Sequence, residues 1–276
     1  MSTTNKNLTL EEVHKATLKL MTNFHEFCES NGLTYYLAYG TLLGCIRHNG
    51  FIPWDDDVDV WMMREDYNRL IKLFREKEYH IDHIQLCTRE SCRYYDYPIA
   101  RYSDLTYRYI LSSGIGNTPD MGTFIDIYPL DSFENSDVFM KTYKKIAKLN
   151  WQYAVYCNPN VGNPLKKAIK LLSKGLTSIM YRNDVRKAID ERTDEIIKTS
   201  AVKGDMVGVP CWFTTGNTLL NKAWFASRMI HKYENTSFYI PENYHEILTK
   251  IYGDYMTPPP EGKRVQYHNY EITRRD

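Results

Sequence analysis

The chain has 276 residues, 43% of them hydrophobic and 25% charged, with a formal net charge of +1. This is the composition of a folded globular protein, long enough for one large domain or two modest ones, and it excludes a disordered chain. Near-neutral charge gives no global field for nucleic acid, and no stretch approaches the ~20 apolar residues of a membrane-spanning helix.

The opening "MSTTNKNLTLEEVHK" has no basic run followed by an apolar core, so no secretory signal is expected. The six cysteines (28, 45, 87, 92, 157, 211) form no C-x-x-C pair and are expected as buried thiols in a reducing cytoplasm. Cys87 and Cys92 are the closest pair, without the second half of a zinc site. The 23 tyrosines are read chiefly as packing residues, with an aromatic cage for a ligand cation as the sharper alternative.

The predicted elements begin with a helix over 9–32. Thr9 and Glu12 make a capping-box pattern, Gly32 is the stop, and Val13, Leu18, Leu20, Met21, Phe24 and Phe27 form an apolar stripe. "LTYYLAY" reads as a short buried strand, and "GTLLGCIRHNG" as a turn into a short helix ended by Asn49-Gly50. "DVDVWMM" is a second strand, followed by an amphipathic helix that turns Tyr67, Leu70, Ile71 and Phe74 inward. Further strands fit "IDHIQLC", "YPIARYS" and "TFIDIYPL". Strands and helices around one sheet make this part α/β or α+β. Three helices follow, in 137–156, 164–180 and 184–200, and then strand-like pieces from Val207 and a last helix in 242–253. Three regions are expected: 1–135 as the core, 136–205 as a basic helical region, and 206–276 as a segment completing the site.

"PWDDDVDV" concentrates Asp55, Asp56, Asp57 and Asp59 beside a turn. In a strand, residues i and i+2 share a face, so Asp57 and Asp59 project together, Asp55 joins them if the extended backbone continues, and Asp56 points away. Converging carboxylates suit a hard divalent cation, Mg²⁺ or Mn²⁺. Val58 and Val60 then point into the core. The ordinary alternative is a solvated acidic patch. Upstream, Gly40-Thr41 at a strand-to-helix junction offers backbone N–H groups and a hydroxyl to a phosphate. A phosphate beside a metal is the arrangement that phosphoryl transfer requires. Asp126, set among Phe124, Ile125, Ile127 and Tyr128, is either an exposed edge residue or a functional one, as metal ligand or base. Asp131 reads as a turn or cap residue.

The run "YYLAYGTLLGCIRHNGFIPWDDDVDVWMMREDYNRL", with "FIDIYPLD" and "YGDYMTPPPEGKR", resembles the LicD family of phosphotransferases. This is a branch of the nucleotidyltransferase-fold superfamily, related to fukutin-like proteins. The resemblance spans about residues 30–130 and 220–268. It implies an α+β fold, with a nucleotidyltransferase-like mixed sheet flanked by helices and a helical insertion after about residue 135. It further implies transfer of a phospho-alcohol, typically phosphocholine from CDP-choline, to a cell-surface glycan such as lipopolysaccharide or teichoic acid, with release of CMP. Related members use CDP-ribitol. Carried onto this chain, Gly40 and Thr41 take the phosphate turn, Asp57 and Asp59 bind the metal with Asp55 in support, and Asp126 is the third carboxylate. Cys45 departs from the family's usual small Ala.

Arg47, His48, Lys263 and Arg264 are candidates to meet the phosphate or nucleotide, and Trp54 to stack on a base or wall the pocket. The ordinary alternative for these loop charges is solvent. From Lys141 to Lys187 there are eleven Lys/Arg and one acid, Asp184. Leu165, Ile169, Leu172 and Leu176 lie along one side of the middle helix. That suits an anionic membrane surface or lipid-linked glycan; the more ordinary reading is a core-facing helix with a solvated lysine face.

The leading expectation is therefore a cytoplasmic, metal-dependent phosphotransferase acting on CDP-choline or another CDP-alcohol, with peripheral contact at the inner membrane face as an option and no nucleic-acid partner. A D-x-D sugar-nucleotide glycosyltransferase is one rival, and would release a nucleoside diphosphate. A non-catalytic nucleotide-binding module of the same fold is the other. Tyr36, Tyr39, Tyr107 and Tyr109 tilt the alcohol towards choline over ribitol or glycerol.

Overall fold

The computed structural model describes residues 6–92, 95, 97–111, 120–157, 164–181, 184–201, 204–212, 219–265 and 270–275. Helix α1 (Leu10–Ser30) starts on the expected capping box, Thr9 with Glu12, and the chain turns at Gly32 with φ +60°. It buries Val13, Leu20, Met21 and Phe24, while Leu18 and Phe27 pack at the core's margin. Strand β1 (Tyr36–Leu37) is shorter than expected because Tyr39 already begins α2 (Tyr39–His48). Asn49 closes α2 in the left-handed conformation, φ 55°. Strand β2 (Asp59–Met63) leads directly into α3 (Arg64–Arg75). Tyr67, Leu70 and Phe74 are buried as predicted, and full burial of such a side chain contributes about 1.5–3 kcal/mol.

The segment expected as one strand at 81–87 is a hairpin, β3 (His80–Ile81) with β4 (Ile84–Cys87), because Asp82 takes φ 54° between them. Strand β5 (Ala100–Asp104) follows, then β6 (Tyr107–Leu111) and the long β7 (Thr123–Phe133). The helical region comprises α4 (Ser136–Cys157), α5 (Pro164–Met180) and α6 (Val185–Ser200). Then come β8 (Met206–Gly208), β9 (Leu220–Asn221), the hairpin β10 (Arg228–Tyr233) and β11 (Thr236–Pro241), α7 (Tyr244–Tyr252) and β12 (Tyr270–Arg274).

The fold class is α+β with a mixed sheet. The main sheet has the order β1-β2-β7-β5-β4-β3, and β8 and β9 extend it from the far end of β7. The β2–β7 pair is parallel and the other pairs are antiparallel. Strand β12 pairs with β6, so the chain ends against its first half. Val58 and Val60 enter the main core as expected, alongside residues from α1, α3 and α7. All six cysteines are buried free thiols.

Candidate active site

Three neighbouring strands build one row of charge. Asp59 of β2 lies opposite Asp126 of β7, and Asp126 lies opposite Arg101 of β5. The backbone of Asp59 is pinned on both sides: its N–H donates to Thr41 Oγ1 at 2.8 Å, and its carbonyl accepts from the Ala38 N–H at 3.0 Å. Thr41 stands in the first turn of α2, so that turn and the start of β2 are locked together. The Asp126 N–H donates to the Val58 carbonyl at 2.8 Å, which continues the lock into β7.

Asp126 is buried, which removes the exposed-edge alternative. Arg101 binds it, Nε to Oδ1 at 2.5 Å and Nη2 to Oδ2 at 3.3 Å. The guanidinium lies between the Tyr97 and Phe124 rings, 3.8 and 4.1 Å from their centroids. Both faces of the cation are thus covered by aromatic rings and its Nε–Nη2 edge by a carboxylate, while Nη1 is buried with no hydrogen-bond partner among the described residues.

Asp59 is also buried, and its Oδ1 has no hydrogen-bond partner among the described residues. Burial holds its carboxyl well above the usual carboxylate range, and Asp57, Asp126 and Asp55 nearby push the same way. A hydrogen bond with Tyr128 pulls in the opposite direction. Tyr128 itself is lifted by burial and by the two aspartates.

The carboxylates of Asp55, Asp56 and Asp57 approach within 4.8 Å of one another. Asp56 is therefore not turned away from its neighbours. The strict alternation that predicted this holds only inside a strand, and β2 begins at Asp59, two residues later than expected. Asp56 is buried, and its carbonyl accepts from the Tyr270 hydroxyl at 2.8 Å. Asp55 is held at its carbonyl by His14 Nε2, 2.6 Å away. Its carboxylate rests against Gly40, where an added Cβ would stand 2.8 Å from Oδ2. Gly40 is thus needed for close approach at the amino end of α2. The Asp55–Asp56–Asp57 cluster, of which Asp59 with its buried, unpartnered oxygen is not part, is itself a donor set of hard oxygens. It fits Mg²⁺ or Mn²⁺ in type and charge.

The basic candidates divide. Arg47 donates to the Tyr255 carbonyl at 3.0 Å and to His48 Nε2 at 3.0 Å, tying α2 to the segment after α7. Burial lowers the pKa of both Arg47 and His48, and the charge of Arg264 adds to this. Arg264 sits 5.4 Å above the Trp54 ring, and His48 meets the same ring edge-on at 6.0 Å. Arg47, His48, Trp54 and Arg264 therefore form one basic and aromatic margin next to Asp55. Lys263 ends a short 3₁₀ turn and is exposed.

Tyr36 gives its hydroxyl to the Phe225 carbonyl and Tyr109 packs in a second core. Tyr107 flanks that core. Tyr39 alone of the four quoted tyrosines meets Tyr128, ring to ring at 5.2 Å. Asp131 is not a cap: it forms a bidentate pair with Arg64, at 2.7 and 2.6 Å. The residues that sequence reasoning missed are Arg101, Tyr128, His14 and Tyr270. A cavity of about 350 Å³ between α3 and α6 shares Tyr97 with the site and is lined by Arg64, Arg89, Asp190 and Asp194.

The model of the family described as "LicD/FKTN/FKRP, nucleotidyltransferase domain" matches residues 32–148, the stretch that carries α2, the aspartates and β7. The lipopolysaccharide cholinephosphotransferase LicD of Haemophilus influenzae is 31% identical in an alignment covering 96% of this chain and 98% of that protein. The chain belongs to the LicD family. An uncharacterised Rickettsia typhi protein, RT0683, is 31% identical over 49% of this chain and 44% of its own. Human ribitol 5-phosphate transferase FKRP is 50% identical over 38 residues, 14% of this chain and 8% of that protein. The LicD-family match thus runs through the helical region and the carboxy-terminal strands as well as the aspartate core.

Proposed function

We propose that this LicD-family chain transfers phosphocholine from CDP-choline to a hydroxyl of a glycan such as lipopolysaccharide or teichoic acid. The observation that carries this reading is the run of carboxylates leading into β2, with Asp55, Asp56 and Asp57 within 4.8 Å of one another and Asp59 buried beside Asp126 with an unpartnered oxygen. It occurs in a chain similar along nearly its whole length to a lipopolysaccharide cholinephosphotransferase.

In this reading Asp55, Asp57 and Asp59 hold a divalent cation, with Asp56 beside them. When bound, Mg²⁺ or Mn²⁺ supplies charge neutralisation at the donor's diphosphate. Gly40 and Thr41 present the first turn of α2 to that diphosphate. Asp126, oriented by Arg101, takes the proton from the acceptor hydroxyl. The acceptor oxygen bonds to the phosphorus that carries choline, and the bond from that phosphorus to the bridging oxygen breaks. The bridging oxygen leaves on CMP, and Arg47, Lys263 and Arg264 offset its charge. Choline is preferred over ribitol or glycerol on the similarity to a cholinephosphotransferase; Tyr39 and Tyr128 pack edge to face against each other. A nucleotide-activated donor implies a cytoplasmic protein. No described helix is long and apolar enough to cross a membrane.

Calorimetric titration with CDP-choline, CDP-ribitol and CDP-glycerol, with and without Mg²⁺, tests the reading. Mg²⁺-dependent binding led by CDP-choline is expected, followed by release of CMP when acceptor is added. Binding that ignores the metal, or no binding of any CDP-alcohol, overturns it.

A further inference from the structure

Helix α5 is mounted in reverse. Leu165, Ile169, Leu172, Leu176, Ile179 and Met180 recur every three or four residues along one side, and each is 55–72% exposed. The positions that α5 turns to the protein are polar: Thr177 is buried, and Lys170, Ser173 and Lys174 are half-buried. These four form a second stripe at i, i+3, i+4 and i+7, about 120° round the helix from the first. The Lys174 ammonium lies 5.3 Å from the centre of the Tyr156 ring of α4. An amphipathic helix of a globular domain normally does the opposite, burying its apolar stripe. Among the described residues, nothing covers the apolar side of α5. Six large apolar side chains in one stripe are more than scattered surface residues and mark a contact surface.

Charge selects the occupant. The segment from Lys141 to Lys187 carries eleven Lys/Arg against one acid, in a chain of net charge +1. A second copy of the chain would bring two such segments together, like charge facing like. A soluble polyanion would satisfy the lysines and leave the apolar stripe in water. An anionic phospholipid surface satisfies both, with acyl chains for the stripe and headgroup phosphates for exposed lysines such as Lys166 and Lys167. At 17 residues, α5 is about 25 Å long, and it is too charged to span a bilayer.

We infer that α5 is a membrane-docking helix that lays Leu165, Ile169, Leu172, Leu176, Ile179 and Met180 into the surface of an anionic phospholipid bilayer. Docking brings the protein to acceptors carried on lipid. It does not depend on the chemistry proposed at Asp59 and Asp126.

Cosedimentation of the full chain with vesicles tests it. Vesicles of phosphatidylglycerol and phosphatidylcholine in equal parts should bind, pure phosphatidylcholine should bind about tenfold less, and 1 M NaCl should weaken binding to the anionic vesicles. Leu172→Glu with Leu176→Glu should lose about tenfold or more in vesicle affinity, with helical circular dichroism unchanged, since both positions are exposed. Lys166→Glu with Lys167→Glu should weaken binding to the anionic vesicles selectively. Absence of anionic-vesicle binding, or equal binding by the leucine variant, overturns the inference. So does a dimer in sedimentation velocity that the leucine variant dissolves while vesicles are ignored. CDP-choline binding, measured in parallel, separates the two readings: its loss would count against the proposed donor and leave vesicle docking standing.

Discussion

Arg101 and Asp126 face each other across β5 and β7, joined at 2.5 Å with both groups buried. Removing one partner of a buried pair strands the other charge and costs on the order of 3–5 kcal/mol. Arg101→Met should therefore lower stability by about that amount in urea melts. The double variant Arg101→Met with Asp126→Leu should regain most of the loss, because no charge remains buried there. Neither variant should transfer phosphocholine. A single Arg101→Met variant that melts like the parent would show that the pair does not anchor this row.

Asp59 sets a pH dependence of definite sign. Burial and the neighbouring aspartates raise its folded-state pKa above the unfolded value of about 3.9. The metal-free folded chain then binds more protons at this site than the unfolded chain. The stabilisation is complete below the unfolded value and is lost as pH rises through the folded one. Divalent cation opposes the loss, because it offsets the charge that the proton would otherwise remove. Thermal melts at pH 5 and pH 8, with and without Mg²⁺, should show Mg²⁺ stabilising more at pH 8. Asp59→Asn should raise metal-free stability at pH 8 by on the order of 1–3 kcal/mol and abolish the response to Mg²⁺. An unchanged Mg²⁺ response in Asp59→Asn would remove Asp59 from the cation site.

Local signals were legible in the sequence. The Thr9–Glu12 box, the stop at Gly32 and the inward stripe of α3 depend on neighbours a few positions away. Asp126 stands out because a carboxylate among apolar strand residues needs a reason to be there, and Asp59 because it shares a strand face with Asp57 in the sequence pattern. Arg101 was not legible: nothing within "YPIARYS" singles it out, and only the register of β5 against β7 sets it beside Asp126. Strands β6 and β12 escaped for a similar reason, since they are half-exposed and pair across the length of the chain. For α5, periodicity located the apolar face, but only packing reveals which face meets the protein.

Gly40 makes room for Asp55. A Cβ there would stand 2.8 Å from the Asp55 carboxylate, which can swing away at little cost to the fold. Alanine also favours a helix over glycine by about 1 kcal/mol. Gly40→Ala should thus leave the melting temperature unchanged or raised, yet slow transfer by about 10–100-fold by displacing a site carboxylate. Steady-state assays beside thermal melts would separate the two effects. Full activity in Gly40→Ala would mean that the position of Asp55 is unimportant.

Asp56 divides two accounts of the acidic run. Strand alternation makes it expendable, whereas the structure brings its carboxylate within 4.8 Å of those of Asp55 and Asp57. Its backbone carbonyl, bound by the Tyr270 hydroxyl, holds the turn whatever the side chain, so Asp56→Asn should fold normally. Asp57→Ala should abolish transfer, because in the proposed reading Asp57 holds the cation together with Asp59. Asp56→Asn should keep measurable transfer but need more Mg²⁺, with the half-saturating concentration raised about 10-fold, as for a group adjoining the ligands. A Mg²⁺ titration of the rate for the parent and both variants decides the matter. An Asp56→Asn curve that overlays the parent's would return Asp56 to the expendable class and leave cation binding to Asp55, Asp57 and Asp59.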